Sequence, residues 1–178
     1  MSNGNQPRFS RIVPPHDDRR RLVCDHCGHV QYENPKIVVG SVVEHDGCIL
    51  LCRRAIDPRD GYWTLPAGYL ELGESPEEGA RREAREEACA DLEIDRLLAV
   101  YSITRISQVQ LIYRARLASP EFAAGPESRE VALFTWDEIP WDELAFPSVH
   151  WSLRHFRDSR HQQDFDPYRR TDREDGGL

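Results

Sequence analysis

The chain has 178 residues, 39% of them hydrophobic and 30% charged, which suits one domain of ordinary size with a small appendage and leaves too little for two full domains. Its 31 acidic residues outnumber its 23 basic ones for a net charge of -8, so there is no overall positive field to gather phosphates, and polymeric nucleic acid is excluded as an expected partner. The longest apolar runs, residues 36–43 and 48–52, fall far short of the roughly 18 to 20 residues a membrane helix needs, so no membrane partner is expected either.

Up to residue 35 the sequence is polar, with Pro14-Pro15 and a charged run from Asp17 to Arg21. It lacks the apolar stretch of about 7 to 15 residues that marks a secretory signal, so a cytoplasmic location is expected. The segment reads as an N-terminal arm or mini-module rather than core. Within it Cys24-Asp25-His26-Cys27-Gly28 is spaced like one knuckle of a zinc ribbon, in which two thiolates grip a tetrahedral Zn²⁺. A ribbon needs two such knuckles, and the stretch around Gly4 to Phe9 holds no cysteine. Cys24 and Cys27 are therefore candidate but incomplete zinc ligands, which His16, His26, His29 or a second chain would have to complete. Five cysteines, an odd number, argue against a disulfide framework. Cys48 and Cys52 share a period-two face with Leu50 and read as small buried hydrophobes.

From Lys36 the pattern changes. Residues 36–44 and 47–54 are two β-rich runs separated by His45-Asp46, with Gly47 placed for a tight turn, and predict a hairpin. Residues 62–65 form a short third strand. Ser75-Pro76-Glu77-Glu78 is a helix start, with Ser as N-cap, Pro at the first helical position and Glu closing a capping box, so a helix is predicted from Pro76 to Ala88 or Cys89. Strands at 97–104, 109–117 and 131–136 follow, then a helix over 147–157 that places Val149, Leu153 and Phe156 at helical spacing. Beyond Asp158 the tail, residues 159–178, is polar and expected to be poorly ordered. This order of elements predicts an α/β fold with a mixed sheet and helices packed on it, over a domain spanning residues 36–158.

Glu83, Glu86 and Glu87 fall at i, i+3 and i+4 of the capped helix, which puts three carboxylates on one face. Such crowding is either a solvated face offset by neighbouring arginines or a site for a hard divalent cation, which takes oxygen ligands beside bound phosphate. The wider stretch, GYLELGESPEEGARREAREEACA from Gly68, fits G-x5-E-x7-R-E-U-x-E-E-x-G-U, with Gly68, Glu74, Arg82, Glu83, Ala84, Glu86 and Glu87 in register. A chance match anywhere in the chain is on the order of 10⁻⁴ from its own residue frequencies. Cys89 alone departs, standing where the pattern has the Gly that helps end the helix.

This stretch resembles the Nudix box. Further segments resembling zinc-ribbon Nudix hydrolases are CDHCGHVQYENPKIVVG, LLCRRAIDPRDGYWTLPAGYLE, PESREVALF and EIPWDELAFPSV, with likeness to FAD and ADP-ribose pyrophosphatases. The resemblance implies an α/β/α Nudix sandwich and a hydrolase that cuts a nucleoside diphosphate linked to another moiety, yielding AMP and a second phosphorylated product. It implies Mg²⁺ or Mn²⁺ held by Glu83, Glu86 and Glu87, with the backbone carbonyl of Ala67 as a further ligand. Arg82 should pair with Glu74 or a helix carboxylate and fix the cluster. The general base is a helix glutamate, Glu83 or Glu86, or one from the later loop, Glu127 or Glu130, since family members differ. Arg53 and Arg54 end a strand near the box, and by period two only one of them can face a phosphate. Gln108 and Phe146 suit base or ring recognition by the same likeness, which also favours a homodimer. Two rivals stand beside this reading: a pyrophosphatase that clears nucleoside triphosphates, and a Nudix module that binds nucleotide without cutting it. Regulators of the second kind usually attach a DNA-binding domain, for which this acidic chain leaves no room.

Overall fold

A computed structural model of the protein describes residues 7–175. Of the stretch around Gly4 to Phe9, residues 4–6 lie outside those described. The chain divides into two compact units between Pro35 and Lys36.

The first unit holds three short antiparallel strands, β1 (Phe9–Ile12), β2 (Arg21–Cys24) and β3 (Val30–Gln31), in that order. Sequence patterning predicts no strand here, because only one of these positions is buried and no alternation of apolar residues marks them. Backbone pairing holds the sheet, with Phe9 opposite Cys24 and the Asp25 N–H donating to the Arg8 carbonyl at 2.9 Å. Arg21 ties it further, pairing with Asp17 at 3.0 Å and lying over the Tyr32 ring.

In the second unit β4 (Lys36–His45) and β5 (Cys48–Arg54) form the expected hairpin, turning on Asp46 and Gly47, both with positive φ. Short β6 (Trp63–Thr64) and β7 (Ala67–Tyr69) lead into α1 (Pro76–Ala88). Then come β8 (Leu92–Ile103), β9 (Gln108–Leu117), β10 (Ser128–Phe134), α2 (Pro147–Ser159) and β11 (Tyr168–Thr171). The sheet order is β10-β5-β4-β9-β8-β11, with β6 beside β5 and β7 beside β4. β4 runs parallel to β9 and β8 parallel to β11, so the sheet is mixed.

Two expectations need correcting. β8 begins at Leu92 rather than residue 97, because register shifts between Ile94 and Arg96 and between Leu97 and Ala99 break the period-two pattern that would reveal it. The polar tail is not poorly ordered throughout: β11 lies within it and completes one edge of the sheet. A strand held by backbone bonds to a neighbour needs little apolar surface of its own, so composition alone misses it.

Alternation along the strands sorts the core into two layers. Val39, Val43, Leu50, Cys52 and Ala115 pack with Ala80, Ala84 and Ala88 of α1, while Val42, Ile49, Leu51 and Ile112 pack with Val149, Trp151, Leu153 and Phe156 of α2. The result is an α/β/α sandwich. Small alanines let α1 lie close to the sheet, which brings its glutamates beside β7. At its start the Ser75 hydroxyl accepts from the Glu78 N–H and the Glu78 carboxylate from the Ser75 N–H. At its end Cys89 adopts the left-handed conformation that glycine usually fills (φ 48), and the Ala90 N–H reaches back to the Ala84 carbonyl. The departure from Gly thus leaves the helix stop intact. Among the described residues no helix is long and apolar enough to cross a membrane.

Candidate active site

β5 and β7 share one side of β4: β5 pairs with its C-terminal end, at Glu44 and His45, and β7 with Val38 to Gly40. The close approach of β7 depends on Gly40, where a Cβ would lie 2.4 Å from that of Ala67. Along this short ladder the Ser41 N–H donates to the Pro66 carbonyl and the Leu70 N–H to the Ile37 carbonyl. Alternate residues of an antiparallel strand face opposite ways, so the N–H and C=O of Ala67 point away from β4. The Ala67 N–H donates to Glu87 Oε2 at 2.9 Å, which places its carbonyl on the same side as the helix glutamates.

Arg82 organises those glutamates. Its Nε and Nη2 hold Glu74 as a two-pronged pair at 3.0 and 2.7 Å. Its Nη1 donates to Glu83 Oε1 and Glu86 Oε2 at 2.7 and 2.9 Å, and Nη2 also donates to the Tyr69 carbonyl at 2.9 Å. Glu74 in turn accepts from the Glu71 N–H. The Arg82 guanidinium, helped by that N–H, holds the Glu74 carboxyl down at about 2.

Glu83 and Glu87 behave oppositely. Each is under a tenth exposed, and burial pushes both carboxyls above their ordinary value, Glu87 to about 7. For Glu87 the Ala67 N–H and the charge of Arg54 oppose burial, whereas the charges of Glu83 and Glu127 add to it. A carboxyl whose pKa is higher folded than unfolded binds its proton more tightly in the folded state, so its contribution to stability is lost as pH rises from the ordinary 4.5 through about 7. That interval corresponds to up to about 3 kcal/mol. In metal-free buffer the Glu87→Gln variant is therefore expected to gain melting temperature relative to the unaltered protein between about pH 5 and about pH 8. A difference that stays flat over this range would show that Glu87 carries no such burden.

One cavity of about 670 Å³ adjoins these groups. Glu83, Glu86, Glu87, Arg82, Ala67 and Gly68 line one end. Val38, Gln110 and Ile112 form its floor, Phe146 to Val149 and Trp151 of the α2 region one wall, and Arg105, Gln108 and Asp172 the far end. Gly68 keeps the near end open, since a Cβ there would fall 2.3 to 2.5 Å from the Glu83 carboxylate.

Of the two strand-end arginines, Arg54 lines the cavity and lies over the Phe146 ring, while its Nε donates to the Pro58 carbonyl. Arg53 is turned elsewhere, donating to the Gly61 carbonyl and pairing with Glu130 at 3.5 Å. Neither Arg53 nor Glu130 lines the cavity: of the two arginines only one turns to it, as period two requires, because neighbouring side chains on a strand take opposite faces, and Glu130 lies opposite Arg53. Glu127 does line it. Its loop is fastened to the end of α1 by the Ala123 and Gly125 N–H groups, which donate to the Ala88 and Glu87 carbonyls, and Gly125 passes so close to Glu86 that a Cβ would not fit. Gln108 accepts from the Gln110 amide at 2.8 Å. Sequence reasoning missed Gln110, two residues from Gln108 on the same strand face and therefore signalled by period two. It also missed Arg105 and Asp172, for which the sequence carries no signal.

The oxygens that would hold a divalent cation are available. The hydrogen bonds above use Glu83 Oε1, Glu86 Oε2 and Glu87 Oε2, leaving a second oxygen on each carboxylate, and Ala67 lines the same end of the cavity. Hard oxygen donors with buried, undercompensated negative charge suit Mg²⁺ or Mn²⁺. Among the described residues, however, no three acidic, His or Cys side chains already converge as a cage, so the arrangement is a set of donors spread along the cavity rim. The cysteine pair fits zinc poorly. Cys24 is buried and Cys27 exposed, and the amides of Cys27 and His26 lower the Cys24 pKa as in a ribbon knuckle, but no third or fourth donor joins them among the described residues.

A family model for the NUDIX domain matches residues 34–158. The chain belongs to the Nudix hydrolase family. A second Nudix model, for the N-terminal zinc ribbon, matches residues 5–33. Among solved structures, a Nudix hydrolase from Nitrosomonas europaea is similar over 96% of this chain and 97% of its own, at 40% identity and a TM-score of 0.88. Among curated relatives, a MutT-like protein of Streptomyces ambofaciens is 40% identical over 57% of this chain and 64% of its own length. An ADP-ribose pyrophosphatase of Methanocaldococcus jannaschii is 32% identical over 65% and 69%. The matched region thus spans about two thirds of these two curated Nudix relatives.

Proposed function

We propose that this Nudix protein is a Mg²⁺- or Mn²⁺-dependent pyrophosphohydrolase acting on a nucleoside diphosphate linked to a second moiety, such as ADP-ribose or FAD, to give AMP and a second phosphorylated product. One observation carries the reading: a single cavity joins the Arg82-bound glutamates to Gln108, Arg105 and Asp172. Between those ends it crosses the sheet from β7 through β4, β9 and β8 to the end of β11. Four strand spacings make about 19 Å, room for a diphosphate with a bulky group on each side. The likeness to an ADP-ribose pyrophosphatase supports the same substrate class.

Glu83, Glu86, Glu87 and the Ala67 carbonyl would hold the cation. When bound, it supplies charge neutralisation at the diphosphate oxygens and acidifies an attacking water. Arg82 keeps the carboxylates at their posts and spares them the full repulsion of like charges. Arg54, with its Nε engaged by Pro58, retains its terminal nitrogens to donate to a phosphate. Glu127 is the general base in this reading, because it lines the cavity and Glu130 does not. It accepts a proton from water as the new P–O bond forms and the bridging anhydride bond breaks, and the departing half keeps the bridging oxygen. The family likeness favours a homodimer.

Product analysis with ADP-ribose, FAD and a nucleoside triphosphate, with and without Mg²⁺, tests the proposal. AMP released from ADP-ribose or FAD only when metal is present is the expected result. Turnover confined to the triphosphate would favour a nucleotide-clearing enzyme, and tight binding without any product would favour a binding module.

A further inference from the structure

The segment after α2 is fastened to the domain along its whole described length. Arg114 of β9 donates to the Ser159 and Gln162 carbonyls at 2.7 and 3.1 Å. Phe165 lies under two guanidinium groups, those of Arg96 and Arg114, at 5.3 and 5.1 Å. Tyr168 stacks on His155 with ring centroids 4.3 Å apart and planes within 5° of parallel. β11 then runs alongside β8, with Thr171 opposite Ser102. Two aromatic anchors and a ladder are far more than an unused tail requires, and they deliver one residue to a particular place.

That residue is Asp172. Its Oδ1 accepts from the Thr104 N–H and hydroxyl at 3.0 and 2.9 Å, and its Oδ2 from the Arg105 N–H at 3.1 Å. The Thr104 N–H is the largest cause, and with the other donors it holds the Asp172 carboxyl down at about 2, so the group is ionised at any neutral pH. Thr104–Ile106 is the single helical turn that joins β8 to β9. Burial does not fix this turn, since none of its residues is buried; the Asp172 carboxylate supplies the missing partners for its amides. Arg105, Ile106 and Asp172 all line the cavity, at the end away from the α1 glutamates. The Arg105 guanidinium lies 3.9 Å from Asp172 Oδ2 and its side chain is 57% exposed. It therefore remains free to meet a ligand.

We propose that Asp172 is a positioning residue for the substrate: it braces the Thr104–Ile106 turn so that Arg105 presents its guanidinium to the oxygen-rich far half, ribose or phosphate, of a substrate whose diphosphate lies at α1. The inference rests on the cavity being the substrate site, as read above. Arg105 touches the substrate and Asp172 acts only through it. Asp172, after β11, stands about four strand spacings, ~19 Å, from β7 at the α1 end, and Arg105, in the turn between β8 and β9, between two and three, ~12 Å, so they affect binding and leave the chemical step alone.

Steady-state hydrolysis of ADP-ribose in Mg²⁺ by the full chain and by Asp172→Ala, Arg105→Ala and the double variant tests this. Each single change is expected to raise KM about tenfold with kcat within about twofold, the loss of one charge-assisted contact to substrate. The double variant is expected to be no worse than Arg105→Ala, because removing the brace means nothing once the braced group is gone. A merely structural Asp172 would instead lower melting temperature and multiply with Arg105→Ala. An unchanged KM in Asp172→Ala, a fall in kcat as large as the rise in KM, or multiplying effects would overturn the proposal. Should Asp172→Ala not fold, Asp172→Asn, which keeps an oxygen for Thr104 but loses the acceptor for Arg105, is expected to raise KM about threefold with the same non-additivity; no rise would overturn it equally. If the unaltered protein cuts no linked diphosphate at all, the functional reading fails and takes this one with it. Normal turnover with an indifferent Asp172 removes this one alone.

Discussion

Glu86→Gln is expected to lower kcat/KM for a linked diphosphate by about a thousandfold while shifting the melting temperature by no more than a few degrees. The separation of the two effects follows from where Glu86 sits. Its side chain is 57% exposed and makes a single hydrogen bond, to Arg82, so folding gains little from it. Glu86 lines the cavity, and its other oxygen is one of the donors a cation would need in the proposed reading. Gln fills the same volume without the negative charge, which isolates the charge as the variable. Parallel melting curves and initial rates in Mg²⁺ settle the point, and full turnover by the variant would mean that Glu86 is no metal ligand.

Arg82→Ala is expected to damage both properties, lowering stability by about 3 kcal/mol and kcat/KM by at least about a hundredfold. One guanidinium satisfies Glu74, Glu83, Glu86 and the Tyr69 carbonyl together, and its own pKa is raised chiefly by Glu74. Its removal leaves the nearly buried Glu83 without its countercharge, and that carboxyl, already pushed up by burial, rises further. Lys in its place is expected to rescue little, since a single ammonium cannot grip Glu74 with two prongs and still reach three other acceptors. Urea unfolding of Arg82→Ala and Arg82→Lys, with rates measured beside it, gives the comparison. A stable, active Arg82→Ala protein would show that the cluster orders itself without the arginine.

The sequence announced α1 because its signals are local. A cap, a proline and glutamates at helical spacing need nothing beyond the segment itself, and Ser75, Pro76 and Glu78 fall where they were expected. The hairpin at Asp46-Gly47 was legible for the same reason. What stayed hidden depends on partners distant in the chain. Arg53 and Arg54 are indistinguishable until the strand's two faces are known, and only then does Arg54 turn to the cavity and Arg53 to Glu130. Glu127 and Glu130 part because Glu130, beyond the bulge, lies opposite Arg53 and shares its face, while Glu127 belongs to the loop before β10. Asp172 lies in a polar tail, and its partners are 67 and 68 residues earlier. No pattern of composition or period reports a contact of that range. The N-terminal strands were missed because backbone pairing, with little apolar alternation, builds their sheet.

The central claim is that the α1 glutamates and the Ala67 carbonyl hold divalent metal against a diphosphate, and crystals soaked with Mn²⁺ and a non-hydrolysable ADP-ribose analogue test it most directly. Anomalous scattering is predicted to place manganese between Glu83, Glu86, Glu87 and Ala67, with the diphosphate beside it and the analogue's far ribose at Arg105. Manganese bound elsewhere, or an analogue lodged in the cavity with no metal at α1, would contradict the account.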